Sequence, residues 1–257
     1  MSFIQARRSF VGYCPSLILE PGKKYPELTD LNFHFENSQT GLVLTDLLGN
    51  NMQLESIAIS GHLLTPHQFE LISQCKHLTQ VRLKPIYFSI DEVPLNNLDF
   101  PSVTQLTIKI SKYQPPTIIN YLLSPFHKSV TNLTLGYSKE LQEFYNSIIS
   151  NFTKVTQLKL IILGKFDTLN NLTIPKSVNF LDISNYSKIN DSVNNNEAII
   201  RKLEDYHNLK RVGITYKSRC NSLLNTDCNT DYSLVDYNGC SWKVINYPLS
   251  NQFHRFL

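Results

Sequence analysis

Glycine, cysteine and alanine are scarce in this chain. Of its 257 residues, nine are glycine, five are cysteine and three are alanine. The sequence contains no Gly-x-Gly-x-x-Gly segment, no P-loop and no nucleophile elbow, the motifs that bind phosphates or carry a catalytic serine. The five cysteines are an odd number without closely paired spacing, which argues against a disulfide framework and a zinc cluster. We therefore expect no enzymatic activity, no bound metal and no cofactor.

Long apolar runs and an excess of one charge are also missing. There are 24 Lys and Arg residues against 21 Asp and Glu, so the formal net charge is only +3, which is too small for a nucleic-acid-binding stripe. No apolar stretch approaches the ~20 residues that span a bilayer, and the first residues lack the apolar core of a secretory signal. We therefore expect no nucleic-acid partner, no membrane partner, and a place in the cytoplasm or nucleus.

What the chain has instead is a short pattern that repeats. Apolar-x-x-apolar-x-apolar occurs eight times, and successive copies begin 26, 24, 25, 27, 25, 23 and 31 residues apart. Every apolar place holds Leu, Ile, Val or Phe, and a Thr-Gln or Thr-Asn pair recurs inside four copies. A period of this length is typical of repeat architectures. The apolar places are Leu28, Leu31, Phe33; Leu54, Ile57, Ile59; Leu78, Val81, Leu83; Val103, Leu106, Ile108; Val130, Leu133, Leu135; Val155, Leu158, Leu160; Val178, Leu181, Ile183; and Leu209, Val212, Ile214.

Pattern and period resemble those of leucine-rich repeat proteins, whose strand signature is Leu-x-x-Leu-x-Leu. The Asn or Cys that this family carries three residues after the last strand Leu is absent here. The chain is therefore more similar to the divergent, longer repeats of ribonuclease inhibitor and of F-box-associated proteins. The resemblance implies an α/β fold, a leucine-rich repeat solenoid or horseshoe with a parallel β-sheet on its inner face and short helices or extended segments on its outer face.

The segments between the predicted strands are of two kinds. Five carry apolar residues at helical spacing, which predicts short amphipathic helices. Thr65-Pro66 is a suitable N-cap and first residue for one of them. Residues 84–102 and 163–177 contain Pro or Gly instead and are expected to cross as extended or single-turn segments. The helical stripes are Val43, Leu44, Leu47, Leu48; Phe69, Ile72; Ile118, Ile119, Leu122, Leu123; Leu141, Phe144, Tyr145, Ile148, Ile149; and Ile199, Leu203, Tyr206.

These observations predict a single leucine-rich repeat domain over residues 1–257. Residues 1–27 form an N-terminal cap, residues 28–219 hold the eight repeats, and residues 220–257 form a C-terminal cap rich in aromatic residues. A looser ninth copy of the pattern lies within that last segment, at Trp242, Ile245 and Tyr247.

The side chains two, four and six places after the first apolar residue of each copy are expected to point away from the core and to line the other side of the strands. In the third to sixth copies these places hold four cations, Arg82, Lys84, Lys109 and Lys159, and no acid. This favours a protein partner with an acidic or phosphorylated segment. The alternative is that such side chains only keep the strand face soluble. The predicted partner-binding residues are Gln80, Arg82, Lys84, Gln105, Thr107, Lys109, Asn132, Thr134, Gln157, Lys159, Phe180 and Asp182.

Rigid shape and a polar surface are properties of an interaction scaffold, so we expect a non-enzymatic protein that is monomeric apart from its partner. The resemblance implies substrate recognition for a ubiquitin ligase, although residues 1–27 are too few for an F-box. The alternative, implied by ribonuclease inhibitor and by Ran GTPase-activating repeats, is a regulator that inhibits or activates a partner enzyme such as a small GTPase or a nuclease.

Overall fold

The computed structural model describes residues 4–6, 22–34, 39–60, 63–84, 87–88, 98–109, 116–138, 142–163, 173–185, 206, 208–216, 231–237, 240–247 and 250–256. The predicted single domain spans two compact units, Met1–Thr131 and Asn132–Leu257. Each unit combines short helical elements with parallel β-strands that follow one another in sequence order. The fold is therefore α/β, as the sequence predicts.

The first unit builds its sheet from short strands. In its described part the strands are β1 (Ile4–Ala6), β2 (Asp30–His34), β3 (Ser56–Ser60), β4 (Leu63–Leu64), β5 (Gln80–Lys84), β6 (Tyr87–Phe88) and β7 (Gln105–Lys109). The helices are α1 (Gln39–Asn50), α2 (Pro66–Ser73) and α3 (Pro116–Leu123), and α3 is followed by a 3-10 turn, Ser124–Phe126. Strands β2, β3, β5 and β7 pair side by side and parallel. β1 pairs antiparallel with β2, and β4 and β6 form a separate parallel pair.

The second unit begins with longer parallel strands. These are β8 (Asn132–Ser138), β9 (Gln157–Leu163), β10 (Phe180–Asn185) and β11 (Arg211–Tyr216), and they again pair in sequence order. Helix α4 (Gln142–Ser150) lies between β8 and β9 in the chain. The remaining strands of this unit's described part are β12 (Asp231–Tyr237), β13 (Cys240–Tyr247) and β14 (Ser250–Phe256).

The last three strands are antiparallel, which corrects the predicted ninth repeat. β14 pairs with β11, β13 with β14, and β12 with β13. The ninth copy, at Trp242, Ile245 and Tyr247, lies in β13, which is not a neighbour of β11. Only two residues separate β12 from β13 and β13 from β14. Parallel strands need a connection of about a dozen residues or more, so these short links allow only hairpins.

The predicted apolar pattern forms the core of both units. Every pattern residue with a described side chain is buried, and the most exposed of them, Ile108, reaches only 8%. Ile183 and Ile214 lie in β10 and β11, but their side chains are outside the described set. Equivalent places also meet across strands, because Ile57 is opposite Leu31 on one side and Val81 on the other. The alternation of a β-strand places the second and third pattern residues of a copy on one side of the strand, whereas the first pattern residue lies two places ahead of the strand.

A tight turn leads into most of these strands. The N–H of the first pattern residue donates to the carbonyl oxygen three residues earlier. Such bonds join Leu28 to Tyr25, Leu78 to Cys75, Val103 to Phe100, Val178 to Pro175 and Leu209 to Tyr206, with lengths of 2.9–3.2 Å. The turn orients the pattern residue toward the core before the strand begins.

Neighbouring copies are joined by shared carbonyl groups just before the strands. The carbonyl oxygen of Glu55 accepts from the N–H groups of Thr79 and Gln80, at 2.8 and 3.1 Å. The carbonyl groups of Thr29, Thr79, Thr156 and Asn179 each accept two N–H groups of the following copy in the same way. This repeated bond fixes the register of β3, β5, β7, β10 and β11 relative to the strand before each of them.

The predicted helices are confirmed for the stripes that α1, α2, α3 and α4 contain. The fifth stripe falls largely outside the described residues, because Ile199 and Leu203 are not among them. Helix α2 starts as predicted, with Thr65 as the N-cap and Pro66 as its first residue. Residues 98–102 and 173–177 are not helical, which agrees with the extended or single-turn crossings predicted there, while residues 89–97 and 164–172 of the two crossings lie outside the described residues.

Three buried aromatic rings connect consecutive copies in the first unit. Phe100 stacks on Phe126, with ring centroids 4.3 Å apart and planes 12° apart. Phe69 of α2 meets both rings edge-on, at 6.0 and 6.4 Å. All three rings are at most 3% exposed, so they add a second apolar layer to the aliphatic residues of the strands.

Candidate partner-binding face

The candidate site is the side of the strands opposite the buried pattern, which we call the open face. In the first unit, three rows of this face run across β3, β5 and β7. The first row is Ser56, Gln80 and Gln105, and the second is Ala58, Arg82 and Thr107. The third row is Ser60 and Lys84, and Lys109 lies beside Lys84 when the register is continued by one residue. These side chains are exposed or half-buried. The six predicted binding residues of this unit therefore share one face.

The first row of the open face is a chain of hydrogen bonds. The side-chain amide of Gln80 donates to the amide oxygen of Gln105 at 2.7 Å, and the hydroxyl of Ser56 donates to the amide oxygen of Gln80 at 3.3 Å. Gln80 is thus held from both neighbouring strands. The recurring Thr-Gln pair also contributes, because the Thr79 hydroxyl donates to the Glu55 carbonyl oxygen at 3.2 Å.

The second and third rows of the first unit concentrate positive charge. Arg82 and Lys84 are two residues apart on β5, about 6.6 Å, and Lys109 lies on the adjacent strand, about 4.8 Å away. The open face of β3, β5 and β7 carries no Asp or Glu. Asp30 is the acid at the start of β2, on the far side of β3, and its carboxylate accepts a hydrogen bond from the Thr29 hydroxyl at 3.1 Å.

The open face of the second unit has a different charge pattern. The ammonium group of Lys159 on β9 forms an ion pair with the carboxylate of Asp182 on β10 at 2.5 Å, and each side chain is 43% exposed. Asp182 lies directly opposite Lys159 in the register. Lys159 is one of the four cations that the sequence places in rows without an acid. In the structure, Asp182 of the neighbouring strand compensates its charge.

Polar and aromatic residues complete that face. Asn132 and Thr134 on β8 lie opposite Gln157 and Lys159 of β9. Phe180, at the start of β10, is 42% exposed, and its register neighbours are Gln157 and Arg211. Arg211 is exposed and belongs to this surface, although the predicted binding set omits it. Arg211 stands two places after Leu209, the first apolar residue of its copy, which is the same place that Gln80 has after Leu78.

A buried thiol, Cys75, and a half-buried imidazole, His127, lie outside the rows of the open face. Burial raises the pKa of the Cys75 thiol to about 11, and its sulfur lies 3.7 Å from the Leu71 carbonyl oxygen, to which it donates. Burial also lowers the pKa of His127. A thiol kept protonated in this way is a poor nucleophile and a poor metal ligand.

The described residues contain neither a candidate metal site nor a helix that could cross a membrane. In the part of the chain that the structure describes, no group of three or more His, Cys, Asp or Glu residues could hold a metal ion. No helix within the described ranges has both the length and the apolar character needed to cross a membrane.

The structure also reveals a repeated position that the sequence analysis misses. Asn51, Cys75, Phe100 and Phe152 each precede a first pattern residue by three places, and all four are buried. In the other four copies the equivalent residues, Tyr25, His127, Pro175 and Tyr206, are half-buried. The signal of this position in the sequence is weak, because the amino-acid type changes from copy to copy while only the spacing is kept.

Comparisons with known proteins add no relative to this description. No protein-family model matches the chain, and a search of curated proteins gives no match.

Proposed function

We propose that this chain is a non-enzymatic binding protein of the leucine-rich repeat kind, which holds a protein partner against its open face. One observation carries the proposal. The strands direct their aliphatic residues into the core and present exposed polar and charged side chains in register on the other side. Such a sheet is rigid, so a partner meets side chains that are already in position and need little further ordering.

The chemistry of the open face supports recognition of a polypeptide segment. Gln, Ser and Thr supply hydrogen-bond donors and acceptors, and Arg82 and Lys109 supply exposed positive charge. Groups of this kind bind backbone amides and acidic side chains. An acidic or phosphorylated segment of a partner protein is therefore the proposed occupant, and the cytoplasm or nucleus is the proposed location.

A more specific cellular role is supported only by the resemblance of the repeats. We propose substrate recognition for a ubiquitin ligase, because the repeats resemble the divergent F-box-associated type. A regulator of a GTPase or nuclease would use the same face, and the identity of the bound protein separates these two roles.

Site-specific photo-crosslinking in cells tests the proposed face. A photoreactive benzoylphenylalanine in place of Thr107 stands on the open face of β7, and the same residue in place of Leu42 stands on α1, where Leu42 is 77% exposed. We expect a discrete covalent adduct from position 107 and none from position 42, identified by mass spectrometry. Equal adducts from both positions, or none from position 107, would contradict the proposal.

A further inference from the structure

We propose that Phe180 and Arg211 anchor an extended protein segment that carries an apolar side chain and, two residues away, a carboxylate. We call these two residues the anchor pair. The ring of Phe180 takes the apolar side chain, and the guanidinium group of Arg211 takes the carboxylate. This inference rests on the proposed function, since it names the residues of the second unit that decide which segments the open face accepts.

The register places the anchor pair side by side. Phe180 is the first residue of β10, Arg211 is the first residue of β11, and the two lie directly opposite each other. Adjacent strands are about 4.8 Å apart, so both side chains leave the open face close together. The next residues of the two strands, Leu181 and Val212, are at most 2% exposed. These core residues hold the strands and thereby fix the position of the pair.

Phe180 differs in chemistry from the rest of its row. Among the described residues, only Leu42 and Phe180 are large apolar side chains exposed to solvent. A ring that is 42% exposed on a rigid strand gains stability when a partner covers it, because its apolar area leaves water. Aromatic residues are enriched at the centres of protein interfaces. The same place is polar or charged in the other seven copies, which have Asp30, Ser56, Gln80, Gln105, Asn132, Gln157 and Arg211 there.

The ring also interrupts a row that is closed by its own hydrogen bonds in the first unit. There Gln80 donates to Gln105 and accepts from Ser56. Phe180 offers neither a donor nor an acceptor, and its neighbours Gln157 and Arg211 are exposed. Among the described residues, the Arg211 guanidinium group forms no ion pair. Its charge is therefore open to a ligand.

A single carboxylate matches the charge of this surface. On the open face of β8, β9, β10 and β11 the charged residues are Lys159, Asp182 and Arg211. Lys159 and Asp182 neutralise each other, so Arg211 leaves one positive charge. A guanidinium group binds a carboxylate through two parallel hydrogen bonds, so one acidic residue compensates that charge.

A glycine beside the pair lets a segment approach the sheet. Gly213 stands two places after Arg211 and lies opposite Asp182. A Cβ atom at Gly213 would stand 3.6 Å from one carboxylate oxygen of Asp182, while the other oxygen pairs with Lys159. Because glycine has no side chain, the backbone of a segment can come close here. The first oxygen of Asp182 can then accept one of its N–H groups.

The two contacts fit residues that are two positions apart in the segment. Alternate residues of an extended chain point to the same side and lie about 6.6 Å apart. The backbones of the anchor pair are about 4.8 Å apart, and the long side chain of Arg211 spans the difference. The expected feature of the segment is therefore an aliphatic residue with Asp or Glu two positions away.

An aromatic ring beside an arginine is also found where proteins stack nucleic-acid bases. Such sites follow the phosphate backbone with a groove of many cations. Here Asp182 lies in the next row, and Arg211 is the one uncompensated cation on the described open face of β8–β11. The charges therefore favour a protein segment.

Titration of the full chain with labelled peptides tests the anchor pair. The probes share Gly-Ser flanks and carry Glu-Gly-Leu-Gly-Glu, Glu-Gly-Ser-Gly-Glu or Gln-Gly-Leu-Gly-Gln at the centre, with the acid on both sides so that either direction of the segment is covered. We expect the first peptide to bind at least about fivefold more tightly than the Ser peptide, because leucine leaves water on the ring. It should bind at least about threefold more tightly than the Gln peptide, because it brings a carboxylate to Arg211.

Two single variants separate the two contacts. Phe180→Ser should remove the preference for Leu over Ser and keep the preference for Glu over Gln, and Arg211→Gln should do the reverse. The controls, Leu42→Ser and Lys154→Gln, remove an exposed apolar residue and an exposed charge outside the open face and should keep both preferences. Equal thermal melting shows that folding is preserved. If a variant does not fold, amide chemical shifts of the wild-type chain decide, and the first peptide should change them in β10 and β11.

Several outcomes would overturn the inference. These are no binding of the first peptide at millimolar concentration, equal affinity for the three peptides, and preferences that persist in both variants. Tighter Phe180-dependent binding of a single-stranded RNA oligonucleotide would assign the pair to another class of partner. If the peptides show no preference while position 107 still gives its adduct, the anchor pair is refuted and the proposed function stands. Absence of that adduct in the wild-type chain would instead refute the proposed function and the inference with it.

Discussion

At the scale of single residues, a buried polar side chain needs hydrogen-bond partners, and backbone groups of this chain provide them. Asn51 is fully buried. Its amide oxygen accepts from the Tyr25 N–H at 2.8 Å, and its amide nitrogen donates to the Leu47 carbonyl oxygen at 2.9 Å. It therefore fastens the end of α1 to the segment ahead of β2, where neither backbone group is part of a regular ladder.

Replacing Asn51 tests the value of these bonds. Asn51→Ala leaves the Tyr25 N–H without its partner, and we expect the free energy of unfolding to fall by about 1–3 kcal/mol. The matched control is Asn32→Ala on the open face of β2, where the side chain is exposed, and this change should cost little. Urea denaturation measures both. Equal effects at the two positions would contradict the assigned role of Asn51.

The sequence predicts apolar core positions better than polar ones. An aliphatic residue such as Leu133 is marked by its place in a period, and burial follows from the period alone. Asn51 and Gln68 have partners 26 and 27 residues away, and no local pattern connects such pairs. For the same reason the ion pair of Lys159 with Asp182 appears only when β9 and β10 are placed side by side.

At the scale of elements, α2 is a helix whose first residue can be predicted from the local sequence. The Thr65 hydroxyl accepts from the Gln68 N–H at 3.3 Å, and the Gln68 side chain accepts from the Thr65 N–H at 3.2 Å, which completes a capping box. The Gln68 side-chain amide also donates to the Gly41 carbonyl oxygen of α1 at 2.9 Å. The cap is therefore both a local signal and a link between two helices.

Two substitutions of Thr65 distinguish the contribution of its hydroxyl group to stability from that of its methyl group. Thr65→Ala removes the acceptor of the Gln68 N–H and should lower the free energy of unfolding by about 1 kcal/mol. Thr65→Ser keeps the hydroxyl and should stay close to the wild type. Thermal unfolding followed by circular dichroism measures both variants, and a similar loss in Thr65→Ser would show that the methyl group, not the cap, matters.

The antiparallel strands at the end of the chain show where period alone misleads. Trp242, Ile245 and Tyr247 match the spacing of a strand but not the connection that a parallel strand requires. The better signal is Asn238-Gly239, the two residues between β12 and β13. Asn-Gly between two extended segments is a strong sequence signal for a hairpin, and it predicts the antiparallel pairing that the structure has.

At the scale of the whole molecule, the copies within each unit keep one register, and a one-residue shift of a strand would turn its core residues outward. Leu133 and Thr134 are adjacent in β8, yet Leu133 is 1% exposed and Thr134 belongs to the open face. The sequence predicts this division correctly wherever the side chains are described.

A pair of adjacent substitutions tests the register. Leu133→Asp places an unpaired carboxylate in the core and should cost at least about 4 kcal/mol, enough to unfold a marginally stable domain. Thr134→Asp makes the same charge change on the open face and should alter stability by about 0.5 kcal/mol or less. Circular dichroism and melting curves report the result. A folded Leu133→Asp protein with wild-type melting would refute the register.

The shared carbonyl groups ahead of the strands have a consequence for how this chain can change in length. Where they are formed, they couple a copy to its predecessor at a fixed point just ahead of the strand. Insertions and deletions are then tolerable in the connections, which is how copies of 23 and 31 residues coexist. A single residue added within a strand would exchange buried and exposed side chains downstream, so strand length is the quantity that mutation must preserve.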